Sequence, residues 1–253
     1  MLNETFYIDG VDARNFGIYL QKPIEFSEAK PIVEIQSIPG RNGDLVFETG
    51  SYENRTGVAS CFCLQKDVEK AISAAGRFLM AKHGYRRLET SDDPDHFWLA
   101  RIENSPRIEH RMRTLAPFEI SFDCKPQRFL KSGEEKIVIE HSMATIARKI
   151  NNQFGFPARP LIHAHWSTES GNFIALQFFN NAGKNTTVTA RDVDGSDLFI
   201  DCDIHDAYNN LGNQNKKITT YEFPTFQAGE NTIGLLAFEN LEYLEITPRW
   251  WEL

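Results

Sequence analysis

The sequence predicts a mainly β protein of two domains, in which the first domain is a β-sandwich with one α-helix and an extended β-hairpin. Short apolar runs of strand length alternate with turn residues along almost the whole chain, a pattern typical of sandwiches and barrels. Phe occurs 19 times in 253 residues, and large side chains of this kind fill the space between facing sheets. A single stretch has clear helical periodicity. We therefore expect sheets to form both cores.

Charge divides the chain into two parts. Residues 1–133 carry 18 Lys and Arg against 19 Asp and Glu, whereas residues 134–253 carry 9 against 16. The change falls at "KSGEEK", residues 131–136, a short charged stretch that contains a glycine. We predict domains at 1–133 and 134–253. The net charge of −8 argues against a surface that grips nucleic acid, because phosphate binding needs a basic patch.

The hairpin is predicted from residues 30–63. "KPIVEIQSIP" alternates apolar and polar residues with the period of a strand. "GRNGDL" supplies Asn42-Gly43, the strongest short signal for a hairpin, because both central residues of a type I′ turn need positive φ. "VFETGSYENRTGVASCFC" then continues as strand. An extended hairpin closed by this turn is expected.

The helix is predicted within "LQKDVEKAISAAGRFLMAKHG", residues 64–84. The apolar side chains that share one stripe at helical spacing are Val68, Ile72, Ala75 and Leu79. Gly84 is placed to end the helix as a left-handed cap. Residues 85–130 follow as three strands with a charged turn at Asp92–Asp95.

The second half of the chain contains only strand-like runs. They are spaced by turn signals such as Asp194-Gly195 and Ala228-Gly229, and no second clear helix interrupts them. Regular short strands of this kind indicate a β-sandwich or a barrel.

The four cysteines are expected to be free thiols. Cys61 and Cys63 are two apart in a strand, so both point to one face and make a poor disulfide; Cys124 and Cys202 are isolated. No CxxC pair suggests zinc. Buried thiols that act as small hydrophobic groups fit a reducing cytoplasm.

No targeting or membrane segment is predicted. "MLNETFYIDG" lacks the basic start and apolar core of a signal peptide, and no apolar run approaches the roughly 20 residues that span a bilayer. We expect the chain to fold in a cytoplasm without membrane contact.

No catalytic residue and no cofactor are predicted. The chain has no GxSxG elbow and no glycine-rich phosphate loop. An acidic cluster is formed by Asp192, Asp194, Asp197, Asp201, Asp203 and Asp206. Solvated turn carboxylates are the plainest interpretation; a glycosidase pair or a calcium loop in "DVDGSD" are alternatives, although this loop lacks the later bidentate Glu of an EF-hand.

Two histidines and three tryptophans are further candidates. His163 and His165 share one face of a predicted strand, but no third metal ligand is apparent, so surface or packing roles are expected. Trp166, Trp250 and Trp251 could stack on a sugar, which makes a carbohydrate-binding module that contacts a cell surface the alternative function. Adjacent strand residues point to opposite faces, so one buried and one interfacial Trp is the plainer interpretation of Trp250-Trp251.

Five segments, in order, resemble the distal tail (Dit) proteins of phages with long non-contractile tails, in particular those of Bacillus-like Gram-positive hosts. They are the hairpin signature "IPGRNGDLVFETGSYENRTGVASCFC", the domain-closing strand "FDCKPQRFL", the start of the second domain "NNQFGFPARPLIHAHW", the stretch "LFIDCDIHDAYNNLGNQNKKITTYEFPTFQAGENTI" and the ending "YLEITPRWWEL". The resemblance covers nearly the whole chain.

The resemblance implies a structural virion protein rather than an enzyme. Dit proteins form a hexameric ring hub at the distal end of the tail, where the N-terminal domain makes the ring and a galectin-like C-terminal β-sandwich lies outside it. The implied partners are further copies of the chain (a homohexamer, or two rings back to back as a dodecamer), the major tail tube protein and a tail-tip or tail-associated protein. DNA would pass through the channel without specific binding. The implied location is the virion, at the distal tip of the tail, after assembly in the host cytoplasm.

The hairpin tip is the predicted subunit or partner interface. Its residues are Pro39, Gly40, Arg41, Asn42, Gly43 and Asp44. A ring subunit must present complementary surfaces to its neighbours, and a hairpin offers strand edges that another chain can complete. We expect contact with the next subunit or an adjacent ring; an ordinary surface hairpin is the alternative. The acidic balance suits a channel along which DNA slides.

Overall fold

A computed structural model describes residues 4–63, 68–103, 116–140, 147–180, 183 and 185–253. The chain forms two compact units, the first ending at Arg128 and the second spanning Phe129–Glu252. Strands dominate both units, so the predicted mainly β fold class is confirmed. Along the chain, the division between the units falls a few residues before the charge boundary at 133.

Unit 1 contains ten strands and one α-helix among the described residues. The strands are β1 (Phe6–Ile8), β2 (Val11–Asp12), β3 (Ile18–Leu20), β4 (Glu25–Phe26), β5 (Pro31–Gln36), β6 (Leu45–Tyr52), β7 (Arg55–Cys63), β8 (Arg86–Thr90), β9 (Asp93–Ile102) and β10 (Ala116–Leu130), which continues past the unit boundary. A 3₁₀ turn spans Ala13–Phe16, and the helix α1 spans Val68–Leu79. The main sheet has the order β2-β1-β8-β9-β10-β7-β3, and β4 also pairs with β7.

The main sheet of unit 1 curls over its own core. Phe6 on β1 and Phe122 on β10 have ring centroids 5.9 Å apart, although β8 and β9 lie between their strands. In a flat sheet that separation would be about 14 Å, since neighbouring strands are about 4.8 Å apart. Phe26 on β4 likewise stacks on Trp98 of β9 at 4.2 Å, across β10 and β7. The two ends of the curled sheet therefore face each other across the core, as the two layers of a sandwich do.

Helix α1 covers one side of this core. Ala75, Phe78 and Leu79 are buried, and the ring of Phe78 stacks on Phe16 at 4.3 Å. The helix ends at Leu79, and Gly84 does not have a positive φ, so the predicted left-handed cap at this glycine is wrong. The guanidinium of Arg86 donates instead to the Phe78 carbonyl oxygen at 3.1 Å, which satisfies an open acceptor of the last turn. The predicted helix start at residues 64–67 lies outside the described residues.

The three strands predicted between residues 85 and 130 are present as β8, β9 and β10, with residues 104–115 outside the described part. Thr90 pairs with Asp93, so the turn consists of Ser91 and Asp92. It lies slightly earlier than the predicted charged turn at Asp92–Asp95.

Unit 2 is a two-sheet sandwich. Its strands are β11 (Ile137–Glu140), β12 (Arg148–Asn152), β13 (Leu161–Trp166), β14 (Phe173–Asn180), β15 (Asn185–Arg191), β16 (Asp197–Asp201), β17 (Asp206–Asn209), β18 (Gly212–Asn213), β19 (Ile218–Thr220), β20 (Gly229–Glu239), β21 (Leu241–Thr247) and β22 (Trp251–Glu252). Short 3₁₀ turns span Lys131–Glu134 and Asn215–Lys217. A six-stranded sheet has the order β11-β21-β13-β16-β17-β18, and a five-stranded sheet has the order β12-β20-β14-β15-β19.

One hydrophobic core lies between these two sheets. Ile162 and Leu244 come from the six-stranded sheet, Leu176 and Ile233 come from the five-stranded sheet, and all four are fully buried. Inward residues alternate with outward ones along β13 and β16, as expected for strands with one buried face. The predicted C-terminal β-sandwich is confirmed.

All four cysteines are free and buried, as predicted. Burial raises the pKa of the Cys63 thiol to about 11 and that of Cys124 to about 12. The reactive thiolate form is therefore scarce at neutral pH, and these side chains serve as core packing.

Candidate subunit interface

Residues 31–52 form an arm that consists of β5, β6 and the loop between them. In the described chain β5 and β6 pair with each other and with no further strand. The register places Ile35 opposite Val46 and Glu34 opposite Phe47. At the base of the arm the Glu53 N–H donates to the Lys30 carbonyl oxygen at 2.8 Å. A two-stranded sheet has two outer edges, and both can accept a further strand.

The tip of the arm is closed by a turn different from the one predicted. Gln36 pairs with Leu45, so eight residues, 37–44, connect the strands. The Arg41 N–H donates to the Ile38 carbonyl oxygen at 3.1 Å, and Gly40 has φ 83°. Proline followed by a glycine of positive φ is the pattern of a type II turn.

The predicted type I′ turn at Asn42-Gly43 is therefore wrong. Gly43 has φ 79°, but Asn42 does not have the positive φ that this turn needs. In an eight-residue connection Pro39-Gly40 closes the chain first, because proline presets one angle and glycine supplies the other. The six predicted tip residues, Pro39 to Asp44, are all exposed. No contact in the structure tests whether they form an interface.

The two faces of the arm differ in polarity. Directly opposed residues share a face, so Val33, Ile35 and Val46 lie together with Glu48. We call Val33, Ile35 and Val46 the apolar face. The opposite face mixes the two classes of residue and includes Ile32, Glu34, Gln36, Leu45 and Phe47.

The arm exposes its apolar side chains. Ile35 is 65% exposed, its partner Val46 is 58% exposed and Phe47 is 50% exposed. Grouped apolar exposure of this kind marks an interaction site more often than a free surface. The tip residues were predicted from the sequence and the apolar face was not; the alternation in "IVEIQ" indicates a strand with two faces but does not show whether either face is covered.

The three candidate sugar-binding tryptophans do not form a sugar platform. Trp166 is 1% exposed and Trp250 is 8% exposed, both within the core of unit 2. Trp251 is half-buried; it stacks on Phe156 at 4.6 Å and donates from Nε1 to the Pro157 carbonyl oxygen. A sugar needs an open ring face, which neither Trp166 nor Trp250 presents. The structural reason is that each occupies an inward position of the sandwich.

The acidic cluster predicted between residues 192 and 206 forms internal contacts. Asp201 makes a two-pronged ion pair with Arg249, at 2.7 Å and 2.9 Å. Asp194 lies 3.2 Å from the Lys217 ammonium group, and Asp206 accepts from the side-chain amide of Asn213. These carboxylates connect neighbouring turns of unit 2.

The predicted histidine pair lies on β13, where His163 and His165 both contact Asp197. Within the described residues, no group of three or more His, Cys, Asp or Glu side chains is arranged to hold a metal ion. Across the same residues, no helix has the length and apolar character needed to cross a membrane.

The fold is similar to those of two solved phage proteins, one a hub protein and the other a chain of a baseplate. SPP1 Dit (gp 19.1), described as a paradigm of the hub adsorption apparatus in phages that infect Gram-positive bacteria, matches with a TM-score of 0.67 and 13% identity, over 98% of this chain and 99% of that one. A chain of the phage p2 baseplate in its activated conformation with Sr matches with a TM-score of 0.56 and 10% identity, over 96% and 97%.

Comparisons at the level of sequence give no match. No protein-family profile matches the chain, and no curated protein sequence does so either. The predicted resemblance to the distal tail family is confirmed at the level of the fold, because the structural match extends along nearly the whole length of both relatives.

Proposed function

We propose that this chain is the ring-forming hub subunit at the distal end of a long non-contractile phage tail. The fold supports this role, because SPP1 Dit is itself described as part of a hub and the p2 relative belongs to a baseplate. Both relatives match along nearly their whole length, so each of the two units of this chain has a counterpart in both relatives.

The observation that carries the proposal is the exposed Ile35–Val46 pair on an arm held only by its own two strands in the described chain. Full burial of such a side chain stabilises a protein by about 1.5–3 kcal/mol. A second copy that covers this face gains part of this energy at every interface of a closed ring, since both side chains are already partly buried. A copy that adds a strand to the edge of the arm gains main-chain hydrogen bonds. The tip residues Pro39 to Asp44 would then lie at or beside the contact.

The remaining parts of the assembly follow from this role. The N-terminal domain, residues 1–133, forms the ring, and the galectin-like sandwich, residues 134–253, lies on its outside. The partners are the tail tube protein on one side and a tail-tip protein on the other, in the virion, after assembly in the host cytoplasm. The ring-forming residues 1–133 carry 18 Lys and Arg against 19 Asp and Glu, which suits a channel through which DNA passes without specific binding, because phosphate binding needs a basic patch.

We propose no catalytic role for the chain. The relatives of the same fold are hub and baseplate proteins, and three of the clustered carboxylates, those of Asp194, Asp201 and Asp206, are engaged in internal contacts. The carbohydrate-binding alternative loses its support because Trp166 and Trp250 are buried.

The native mass of the purified protein tests the proposal. Six chains of 29.0 kDa give about 174 kDa by light scattering, or twice that for two stacked rings, and negative-stain images of the same fraction should show a central hole. A single species of one chain mass at every concentration would contradict self-assembly into a ring.

A further inference from the structure

Two imidazoles on the outer face of the six-stranded sheet share one carboxylate oxygen. His163 Nε2 and His165 Nδ1 each lie 2.8 Å from Asp197 Oδ1. The histidines are two residues apart on β13, and Asp197 on the neighbouring β16 is paired in register with His165. Both side chains therefore point to the same side of the sheet and meet at one oxygen.

The second nitrogen of each imidazole faces another carboxylate. His163 Nδ1 lies 3.3 Å from Glu245 Oε2, and His165 Nε2 lies 3.6 Å from Glu242 Oε2. A neutral imidazole carries a single N–H, so one of its nitrogens would turn a lone pair towards a carboxylate. The doubly protonated ring is the form that satisfies both contacts.

Groups from every neighbouring strand complete this cluster. Phe199 on β16 stacks on His163 at 4.2 Å, and Tyr208 on β17 stacks on Phe199 at 5.8 Å. Tyr243 on β21 stacks on His165 at 4.9 Å. Lys136, which precedes β11, lies 2.6 Å from Glu245. The rings of each stacked pair are nearly parallel.

The charge of the cluster depends on the two imidazoles. The three carboxylates and one lysine give −2 when both imidazoles are neutral and zero when both are protonated. Burial acts to raise the pKa of Asp197. The hydrogen bonds from His163 and His165 outweigh this effect, so the pKa lies below its ordinary value. The hydrogen bond from Lys136 is the main reason that the pKa of Glu245 is lowered. Asp197 and Glu245 therefore stay ionised in mild acid.

We propose that His163, His165, Asp197, Glu242 and Glu245 form a proton-responsive cluster that fastens β13 to β16 and β21 in mild acid and leaves an unbalanced acidic face at higher pH. The free energy that the imidazolium–carboxylate contacts add to folding is present at low pH and is lost as pH rises and the rings deprotonate. The carboxylate contribution has the opposite sign, since it is lost as pH falls through the lowered pKa values. The contacts are strongest between these two limits.

Thermal unfolding of the full chain tests the proposal. Asp197→Asn removes the shared carboxylate, so the loss in Tm should be largest near about pH 5.5, where imidazoles ordinarily carry two protons, and should shrink towards about pH 8. His83→Gln, a change at an exposed histidine of unit 1, serves as the control and should give no such trend. An equal loss from Asp197→Asn at both pH values would overturn the proposal.

A measurement on the wild-type chain covers the case in which Asp197→Asn fails to fold. Ring-nitrogen NMR signals of His163 and His165 should titrate together, because protonation of one imidazole changes its contact with the oxygen that the other also uses. Independent titration of the two rings would overturn the proposal. The test concerns unit 2 alone and is separate from the mass measurement of the ring.

Discussion

Two hairpins of this chain have similar alternating sequences and opposite surroundings. In the β14–β15 hairpin of unit 2, the inward residues Ile174, Leu176 and Phe178 are almost completely buried. In the arm, the apolar residues Ile35 and Val46 are more than half exposed. The strand pattern is present in both hairpins, but only the first has its covering layer within the same chain.

Alternation of apolar and polar residues therefore predicts that a strand has an apolar face to be covered. It does not predict whether the same chain or another molecule covers that face. For β14–β15 the opposite sheet of the sandwich supplies the cover. For the arm the described chain supplies none, which is the reason for placing the subunit interface there. Mutations in the sandwich test packing within one chain, and mutations in the arm test the packing that we propose between chains.

The largest effect is expected from Arg249→Met in the self-contained sandwich. Asp201 is 7% exposed and pairs with both terminal nitrogens of Arg249. Removal of the guanidinium leaves a buried carboxylate without its counter-charge, which costs about 3–5 kcal/mol of unfolding free energy. Urea unfolding of the purified variant measures this loss. A loss below about 1 kcal/mol would show that the pair is dispensable.

The same ion pair makes a pH prediction. Burial acts to raise the pKa of Asp201, and the hydrogen bonds and charge of Arg249 lower it below its ordinary value of 3.8. A lowered carboxyl pKa gives stability that is present above that value and is lost as pH falls through the native-state pKa. The stability gap between wild type and Arg249→Met should therefore narrow in strong acid. A gap that widens there would contradict this sign.

Leu176→Ala and Ile35→Ala compare the two hairpins directly. Leu176 is fully buried, so its truncation should cost about 2–5 kcal/mol of unfolding free energy. Ile35 is 65% exposed, and its truncation should change the free energy of the isolated chain by no more than about 0.5 kcal/mol. Urea unfolding under conditions that keep the chains monomeric provides the readout. Equal losses would mean that the arm is packed within its own chain.

Much of the fold could be predicted because local patterns determine it. The hairpin, the helix stripe and the three following strands are found close to the expected positions. The errors arise where two local signals compete or a distant residue intervenes. Pro39-Gly40 closes the tip although Asn42-Gly43 is the stronger isolated signal, and Arg86 satisfies the helix end in place of Gly84.

The candidate site was only partly predictable. The tip residues could be selected from turn chemistry, but the apolar face could not, because the sequence does not show whether Ile35 and Val46 are covered within the chain. The burial of Trp166 depends on the facing sheet of the sandwich. The meeting of His163 and His165 at Asp197 depends on strand register across 32 residues or more, which no local pattern encodes.

Gly40→Ala should have a smaller effect that is confined to the arm. Gly40 has φ 83° and open space where a Cβ would lie, so the cost is conformational alone, about 1–2 kcal/mol. Asn42→Ala, two residues away and without positive φ, should cost much less. Hydrogen exchange of the arm amides reports both values. Equal protection in the two variants would contradict the assignment of the turn to Pro39-Gly40.

Native mass measured by light scattering on Val46→Asp and Leu236→Asp decides whether the arm forms the subunit interface. The two side chains have nearly equal exposure, 58% and 56%, and each change places a charge on a surface position, so neither should alter the unfolding free energy of the single chain by more than about 0.5 kcal/mol. Only Val46 lies on the apolar face of the arm. We predict that Val46→Asp lowers the mass from that of the ring to that of one chain, whereas Leu236→Asp keeps the wild-type mass. A ring of full mass from folded Val46→Asp would contradict the assignment of the interface to the arm.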